Sequence, residues 1–210
     1  MRHLANIDPR LSIDSLNKDN RLLAYINFSG NFTEQSGETF CKDLHEAENK
    51  AKKLGQAIIP IVINSYGGAI DALMSMMEAI NNCSLPVATI VSGKAMSCGA
   101  LLFSCGKEGH RYVGEHSRVM IHEVSSVAIG KNDEIKSSSA EVERLNEKLF
   151  NILDANCKKE KGYFQDVMYR VHKNSDWFLT PEECVKHNLA NFIGTPTLKV
   201  SVKMNHEFGL

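Results

Sequence analysis

The chain has 210 residues, a length that favours one domain with a sizeable core. It carries 24 Lys and Arg against 25 Asp and Glu, so its formal net charge is −1. This balance gives no electrostatic reason to expect nucleic acid or an acidic membrane surface as a partner. No apolar run approaches the roughly 18 residues of a membrane span, and the N-terminus lacks a continuous apolar stretch. We therefore expect a soluble, cytoplasmic protein.

The first half of the chain alternates strand-like and helix-like segments. Short, apolar, β-branched runs predict buried strands, and apolar residues three and four apart predict helices. In chain order we predict a strand over 22–28, a helix over 38–54 ending at Gly55, and then a strand over 57–63, a helix over 68–80, a strand over 86–91, a helix over 97–103 and a strand over 119–122. This order indicates an α/β fold with a mostly parallel sheet, whose ligands bind at the carboxyl ends of the strands.

Residues 131–159 differ from the rest, because they form a long run without proline or glycine. The run predicts one long charged helix with a narrow apolar stripe, formed by Ile135, Val142, Leu145, Leu149 and Ile152. Such a stripe either covers the parent domain or pairs with a copy of itself, and we favour an oligomer contact. We treat residues 1–20 as a flexible N-terminal segment and residues 196–210 as a C-terminal tail of a single domain.

The six cysteines are scattered and include no Cys-x-x-Cys pair. Their spacing argues against a zinc site, and a chain of this size does not need a disulfide framework. We expect no metal site and reduced, mostly buried thiols.

Two strands break into small residues, at positions 64–68 and 93–100, and the second break places Ser97 where a helix begins. That position exposes a hydroxyl beside N–H groups that can bind a developing anion. His122 ends a later strand and Asp176 follows it, which supplies the residue types of a nucleophile, a base and an orienting carboxylate. Taken singly, each has an ordinary alternative: an N-cap serine, a buried core histidine and a turn aspartate. Lys94 is an alternative base for the serine.

Four blocks of sequence carry a family resemblance, at positions 64–68, 95–100, 117–122 and 176–183. Together they resemble the Clp protease proteolytic subunit in order and spacing, from about residue 21 to residue 193. The resemblance implies a crotonase-like (ClpP-type) α/β fold in which residues 131–159 form a projecting handle helix. It also implies an ATP-dependent serine endopeptidase that cleaves unfolded proteins or short peptides inside an oligomeric chamber.

The resemblance extends to partners and to individual residues. It implies a homo-oligomer of one heptameric ring or two stacked ones, an AAA+ unfoldase that uses the ATP, and no cofactor in the subunit itself. Ser97 is then the nucleophile, His122 the general base and Asp176 its orienting partner. The oxyanion is bound by the backbone N–H groups of Gly68 and Cys98. Residues 124–130 resemble a strand that pairs with substrate, so the substrate-binding candidates are Gly67, Val124, Ser125 and Ser126.

Three positions near these blocks depart from the family pattern. Tyr66 replaces a proline, so we expect a less rigid turn and a side chain that shapes a subsite. Glu123 replaces a glutamine, and its carboxylate is expected to raise the pKa of the neighbouring base. Ser175 replaces an arginine that couples ring stacking to activity.

Three functions therefore compete. The first is a self-compartmentalising serine peptidase. The second is an acyl-CoA enzyme of the crotonase fold, which shares the glycine turns but does not require Ser97, His122 and Asp176 together. The third is a non-catalytic ring subunit that pairs with an active paralogue. Fold analogy alone does not decide among them.

Overall fold

The structure of the protein is a computed structural model that describes residues 23–172 and 176–196. Residues 24–195 form one compact unit. The expectations for the N-terminal segment, for Ser175 and for most of the C-terminal tail lie outside the described residues, and a single domain over 1–210 stays a prediction.

The described residues contain a single seven-stranded sheet in the order β1-β2-β3-β4-β7, with β5 pairing β3 and β6 pairing β5. All of its pairs are parallel except β5 with β6. This confirms the mostly parallel α/β sheet. The strands are β1 (Ile26–Phe32), β2 (Ile59–Gly68), β3 (Val87–Met96), β4 (Arg111–Val113), β5 (Arg118–His122), β6 (Asp176–Leu179) and β7 (Phe192–Ile193).

Helices cover this sheet and close the core. The long α1 packs against β1 and α2, while α3 contacts β2 and β3. Apolar residues at helical spacing, such as Phe40 and Leu44 of α1 and Leu73 and Met76 of α2, are fully buried. The helices are α1 (Glu34–Leu54), α2 (Ile70–Asn82), α3 (Cys98–Ser104), α4 (Asn132–Asn156), α5 (Tyr163–Val167, continued by a π-helical turn, Met168–His172) and α6 (Pro181–Lys186).

Strand β3 pairs with two different neighbours on one side. Its first half, from Thr89 to Val91, pairs with β4, and its second half, from Lys94 to Met96, pairs with β5. The sheet therefore branches at β3. The branch carries β5 and, antiparallel to it, β6, so that the carboxyl end of β3 lies beside two further strand ends.

The predicted ends of the first three strands were wrong, because all three run four to five residues further. Serine, glycine and asparagine at 29–31 and 64–68 looked like turns, but β1 and β2 stay paired through a bulge as far as Phe32 and Gly68. A parallel ladder uses backbone groups, so polar side chains do not end it. Helix α2 consequently begins at Ile70 rather than at Gly68.

Helix α1 begins four residues earlier than predicted. Thr33 and Ser36 form a reciprocal capping box, in which each side chain accepts a hydrogen bond from the other residue's backbone N–H, at 3.1 and 2.9 Å. This box fixes the start at Glu34. The predicted end is confirmed, since Gly55 adopts the left-handed conformation with φ 65° and donates back to the last turn.

Five short elements were not predicted: β4, β6, β7, α5 and α6. Each has two to six residues, too few for periodicity to reveal. Helix α6 did carry a local signal, because Thr180 and Glu183 form a capping box around Pro181 at the first helical position.

The predicted long helix is present as α4, and its two halves differ. Leu149, Phe150 and Leu153 of the second half are buried against the body of the domain. Residues 131–140 of the first half are all exposed, including Ile135 at 43%. The helix thus covers its parent domain with one half, while the oligomer contact that we favoured for the stripe stays a prediction.

All six cysteines are reduced, and three of them, Cys98, Cys157 and Cys184, are buried. Burial raises the pKa of the Cys157 thiol to about 12, so that side chain behaves as an apolar group. Among the described residues, no group of three or more His, Cys, Asp or Glu side chains could hold a metal ion. No helix of the described part is long and apolar enough to cross a bilayer.

A buried arginine joins β4 of the main sheet to the ends of three helices. Arg111, 2% exposed, donates to the carbonyls of Gly106, Asn156 and Asn188 at 3.2, 3.0 and 2.9 Å. It also donates to the Glu108 carboxylate at 3.1 Å. One guanidinium therefore satisfies backbone carbonyls that follow α3, end α4 and follow α6.

We predict that Arg111→Met destabilises the domain by about 3 kcal/mol, because one buried and two partly buried carbonyls lose their donor. Urea unfolding followed by circular dichroism, at one fixed protein concentration, measures the change. Arg118→Met is the matched control, since Arg118 is exposed and its loss should cost less than about 0.5 kcal/mol. Equal losses in the two variants would contradict the structural role of Arg111.

Candidate active site

Ser97 occupies a strained turn between β3 and α3. Its φ of 54° and ψ of −121° place a non-glycine residue in a sparsely populated region, at a cost of about 1–3 kcal/mol. Its N–H donates to the carbonyl of Met120 at 2.8 Å, and its carbonyl accepts from the N–H of Ala100 at 2.9 Å. Ser97 holds the N-cap position of α3, yet its side chain makes no capping hydrogen bond. The N-cap alternative therefore does not describe what the hydroxyl does.

The hydroxyl of Ser97 meets the imidazole of His122. The distance from Ser97 Oγ to His122 Nε2 is 2.7 Å. The register of β3 with β5 accounts for this contact, because Met96 pairs with Met120 and His122 ends the strand two residues later. If the hydroxyl donates, Nε2 is the unprotonated nitrogen and the ring proton sits on Nδ1.

Asp176 lies on the other side of the same imidazole. The antiparallel pairing of β5 with β6 sets Asp176 opposite His122. The distance from Asp176 Oδ1 to His122 Nδ1 is 3.7 Å, which is longer than a hydrogen bond. The structure thus brings together all three residues that the sequence singled out, with one tight contact and one loose one.

Two glycines at the end of β2 make room for this arrangement. Gly67 has φ 99°, and a Cβ on it would lie 2.7 Å from Ser97 Cβ and 2.8 Å from the carbonyl oxygen of Met96. Gly68 has φ 143°, and a Cβ there would overlap the carbonyl of Phe32. Both the conformation and the close approach of the neighbouring backbone require glycine.

The two predicted oxyanion donors, Gly68 and Cys98, lie on adjacent segments that a hydrogen bond from a thiol connects. Cys98 Sγ donates to the carbonyl of Gly68 at 3.2 Å. Burial raises the pKa of the Cys98 thiol, so it stays protonated and able to donate. The N–H of Cys98 lies in the first turn of α3, where a helix offers no internal acceptor. The N–H of Gly67, by contrast, donates to Ser65 Oγ at 3.0 Å.

The candidate site borders a cavity of about 820 Å³, a volume within the usual range for ligand sites. Gly68, Ser97, Cys98 and His122 line it, and so do three of the four substrate-binding candidates, Val124, Ser125 and Ser126. Gly67 contacts Ser97, as described above, and its predicted role in substrate binding stays a prediction.

One wall of the cavity comes from α4, which the sequence did not connect with the site. Val142, Leu145 and Leu149 provide apolar surface there. Asn146 of the same helix accepts a hydrogen bond from the N–H of Val124 at 2.6 Å. Part of the apolar stripe of α4 therefore lines the cavity. The spacing of apolar residues in the sequence cannot distinguish residues that line a cavity from residues that pack in the core. Residues 124–130 form no regular strand in the structure.

Lys94 is engaged elsewhere than at the serine. Its ammonium donates to Asn64 Oδ1 at 3.0 Å and lies 4.2 Å from the centre of the Tyr66 ring. Because the imidazole of His122 is the group that contacts Ser97, the geometry disfavours a serine–lysine pair. Tyr66 is 64% exposed and lines the cavity. Its expected role in shaping a subsite stays a prediction.

Glu123 interacts with Tyr169. Burial and then the hydrogen bond to Glu123 raise the pKa of Tyr169 to about 12. The effect of this carboxylate on the base, which the sequence suggested, stays a prediction.

A model of the Clp protease family matches residues 13–197, most of the chain. The chain belongs to the Clp protease family. Two curated relatives are similar to it, each named ATP-dependent Clp protease proteolytic subunit 2, from Chlamydia trachomatis serovar D and serovar A. Each is 37% identical over 133 residues, which cover 62% of this chain and 62% of the relative. The chain therefore spans 62% of the length of these relatives.

We predict that Gly67→Ala slows the reaction of Ser97 with a fluorophosphonate probe on the order of 100-fold, the scale expected when a reacting group is misplaced by about 1 Å. The added methyl group must displace Ser97 or the carbonyl of Met96. Gel fluorescence over time, at several probe concentrations, gives the rate constant.

Gly109→Ala is the control, because Gly109 also has a positive φ, 78°, but its Cβ would meet nothing within 4 Å. It should fold less stably by about 1 kcal/mol and keep its labelling rate. A Gly67→Ala protein that reacts as fast as Gly109→Ala would contradict the close-approach argument.

Proposed function

We propose that this protein is a serine endopeptidase that hydrolyses peptide bonds of unfolded proteins or short peptides through Ser97, His122 and Asp176. The observation that carries the proposal is the 2.7 Å contact between Ser97 Oγ and His122 Nε2 at the mouth of an 820 Å³ cavity. The strained backbone of Ser97 supports it, because strain persists where a particular side-chain position is required.

The chemistry follows the acyl-transfer sequence. His122 Nε2 takes the hydroxyl proton as Ser97 Oγ attacks the scissile carbonyl carbon. The resulting oxyanion is held by the N–H groups of Gly68 and Cys98, each donor contributing about 2.7–4 kcal/mol to the transition state. The imidazolium then returns the proton to the leaving amine. Water, deprotonated by the same imidazole, releases the acyl group and restores Ser97.

For efficient acyl transfer, the Asp176 carboxylate must come closer to His122 Nδ1. A carboxylate that accepts from Nδ1–H fixes the tautomer and stabilises the imidazolium. At 3.7 Å that hydrogen bond is not made, and catalytic hydrogen bonds of ligand-free enzymes often tighten only when substrate binds. Because Asp176 is half-exposed, little packing opposes a small shift of its carboxylate.

Peptide substrate would lie along residues 124–126, with its backbone pairing to theirs. The N–H of Val124 already donates to Asn146, so the pairing groups nearest the serine belong to Ser125 and Ser126. Gly67 lies against Ser97, and Tyr66 lines the same cavity.

The proposal includes assembly into a homo-oligomer, a heptameric ring or two stacked rings, in which α4 takes part. The exposed first half of α4 supports this contact. ATP is used only by a partner AAA+ unfoldase, and the subunit itself needs no cofactor. The name of the relatives, which calls them ATP-dependent, is in keeping with this part of the proposal. Nucleic acid and membrane have no part in the proposal, and the cytoplasmic location remains part of it.

The loose contact of Asp176 favours one competing function, a non-catalytic ring subunit that supports an active paralogue. In that case the 3.7 Å separation is permanent and the serine is inert. The acyl-CoA alternative has no such observation in its favour.

The decisive test is labelling of the full-length protein by a fluorophosphonate probe. We expect wild-type protein to react, Ser97→Ala to lose labelling entirely, and His122→Ala or Asp176→Asn to react on the order of 10²–10⁴ times more slowly. Ser137→Ala, a serine on α4 that lines the same cavity, should label like wild type. A folded wild-type protein that does not react, alone or assembled, would reject the peptidase.

Assembly has its own test, by size-exclusion chromatography with light scattering. Ile135→Asp places a charge on the exposed apolar stripe and should shift the protein towards smaller species. Ser137→Asp adds the same charge about half a turn away on the same helix and should leave the assembly intact. A wild-type monomer would exclude the chamber even if Ser97 is reactive.

A further inference from the structure

Asp176 is carried by a strand that is paired along one edge only within the described part of the chain. Strand β6 has four residues and pairs with β5 alone. Trp177, the residue after Asp176, is 1% exposed and is directed into the domain. The position of Asp176 therefore depends on what packs around Trp177.

Trp177 sits in an aromatic box that we define by Tyr163, Phe164, Trp177 and His187. The ring of His187 meets Trp177 edge to face, with centroids 4.8 Å apart. Phe164 lies 6.0 Å from Trp177, and Tyr163 contacts both Phe164 and His187. Such contacts have preferred geometries, so they restrict rotation of the indole as well as burying it.

A hydrogen bond fixes two members of the box relative to each other. Tyr163 Oη lies 2.8 Å from His187 Nδ1, and His187 is only 6% exposed. The outer face of the Tyr163 ring is covered by the ammonium of Lys159 at 4.8 Å. His187 is thus a buried titratable group that the proposed reaction does not use.

The box is tied in turn to the end of α4. Asp154, 2% exposed, accepts hydrogen bonds from the N–H of Gly162 at 2.7 Å and from the N–H of Phe164 at 3.0 Å. These two bonds fix the backbone on both sides of Tyr163. Contacts therefore run from α4 through Tyr163 and His187 to Trp177, beside the carboxylate that faces His122.

We propose that Tyr163 and His187 are positioning residues for Asp176. The inference rests on the proposed function, because it concerns how the same site is made competent. The hydrogen-bonded pair holds Trp177, and Trp177 sets where β6 lies against β5. A displacement of a few tenths of an ångström decides whether Asp176 Oδ1 reaches His122 Nδ1, and misplacement by 1 Å can cost about 100-fold in rate. Removing the Tyr163 hydroxyl should loosen this placement without altering the cavity.

The test is a double-mutant cycle on the full-length, assembled protein with a fluorogenic peptide. Tyr163→Phe should lower kcat about three- to tenfold and leave KM unchanged, because the variant weakens a transition-state contact rather than peptide binding. In an Asp176→Asn background the same substitution should have no further effect. His187→Phe, which keeps a ring in the box and removes both nitrogens, should behave like Tyr163→Phe.

Tyr112→Phe is the matched control, since Tyr112 stacks on Phe192 in β4 and β7, away from the triad. It should leave kcat unchanged. Trp177 is the sole tryptophan, so its emission reports directly whether the box stays folded in each variant.

The outcomes separate the two proposals. An equal loss of kcat in both backgrounds, or no loss from either substitution, would overturn the positioning role while leaving the peptidase intact. A wild-type protein with native Trp177 emission that neither labels nor hydrolyses peptide would reject the proposed function, and this inference with it.

Discussion

The site depends on the division of β3 between two partners. Its first half belongs to the main sheet, and its second half pairs with β5. This branch brings the carbonyl of Met120 to the N–H of Ser97, which locks the strained turn in place. It also sets His122 beside the hydroxyl and leads β6, with Asp176, to the far side of the imidazole. Ser97 and His122 converge because the parallel strands β3 and β5 end in the same direction, and Asp176 joins them because it begins the antiparallel strand β6.

The residues of the candidate site could be selected from the sequence because their types and spacing are local features of it. The structure places Ser97 at a strand-to-helix junction and His122 at the end of a strand, as the sequence indicated. It brings these two residues together, beside the paired glycines that precede α2. The helices with clear apolar periods, α1, α2 and α4, were also predicted to within a few residues. The family resemblance rests on the same blocks and is confirmed by the match over most of the chain.

What the sequence could not provide depends on tertiary pairing. Strand ends were misjudged because parallel ladders continue through glycine and asparagine when a neighbour is present, as at Gly68. The two to four residues of β4, β6 and β7 acquire their conformation only from their partners. The use of α4 as a cavity wall, and the 3.7 Å gap at Asp176, follow from packing that no local pattern encodes. Asn146 and the aromatic box beneath Asp176 went unnoticed for the same reason.

The glycine pair at the end of β2 divides the surroundings of the serine into fixed and adaptable parts. Gly67 and Gly68 admit no side chain, so that stretch of backbone is closed to variation. Tyr66, immediately before them, is mostly solvent-facing and touches the cavity. A different side chain at position 66 can therefore reshape the cavity while the Ser97 hydroxyl keeps its alignment. A position that tolerates substitution and a stretch of backbone that does not thus follow each other directly in the chain.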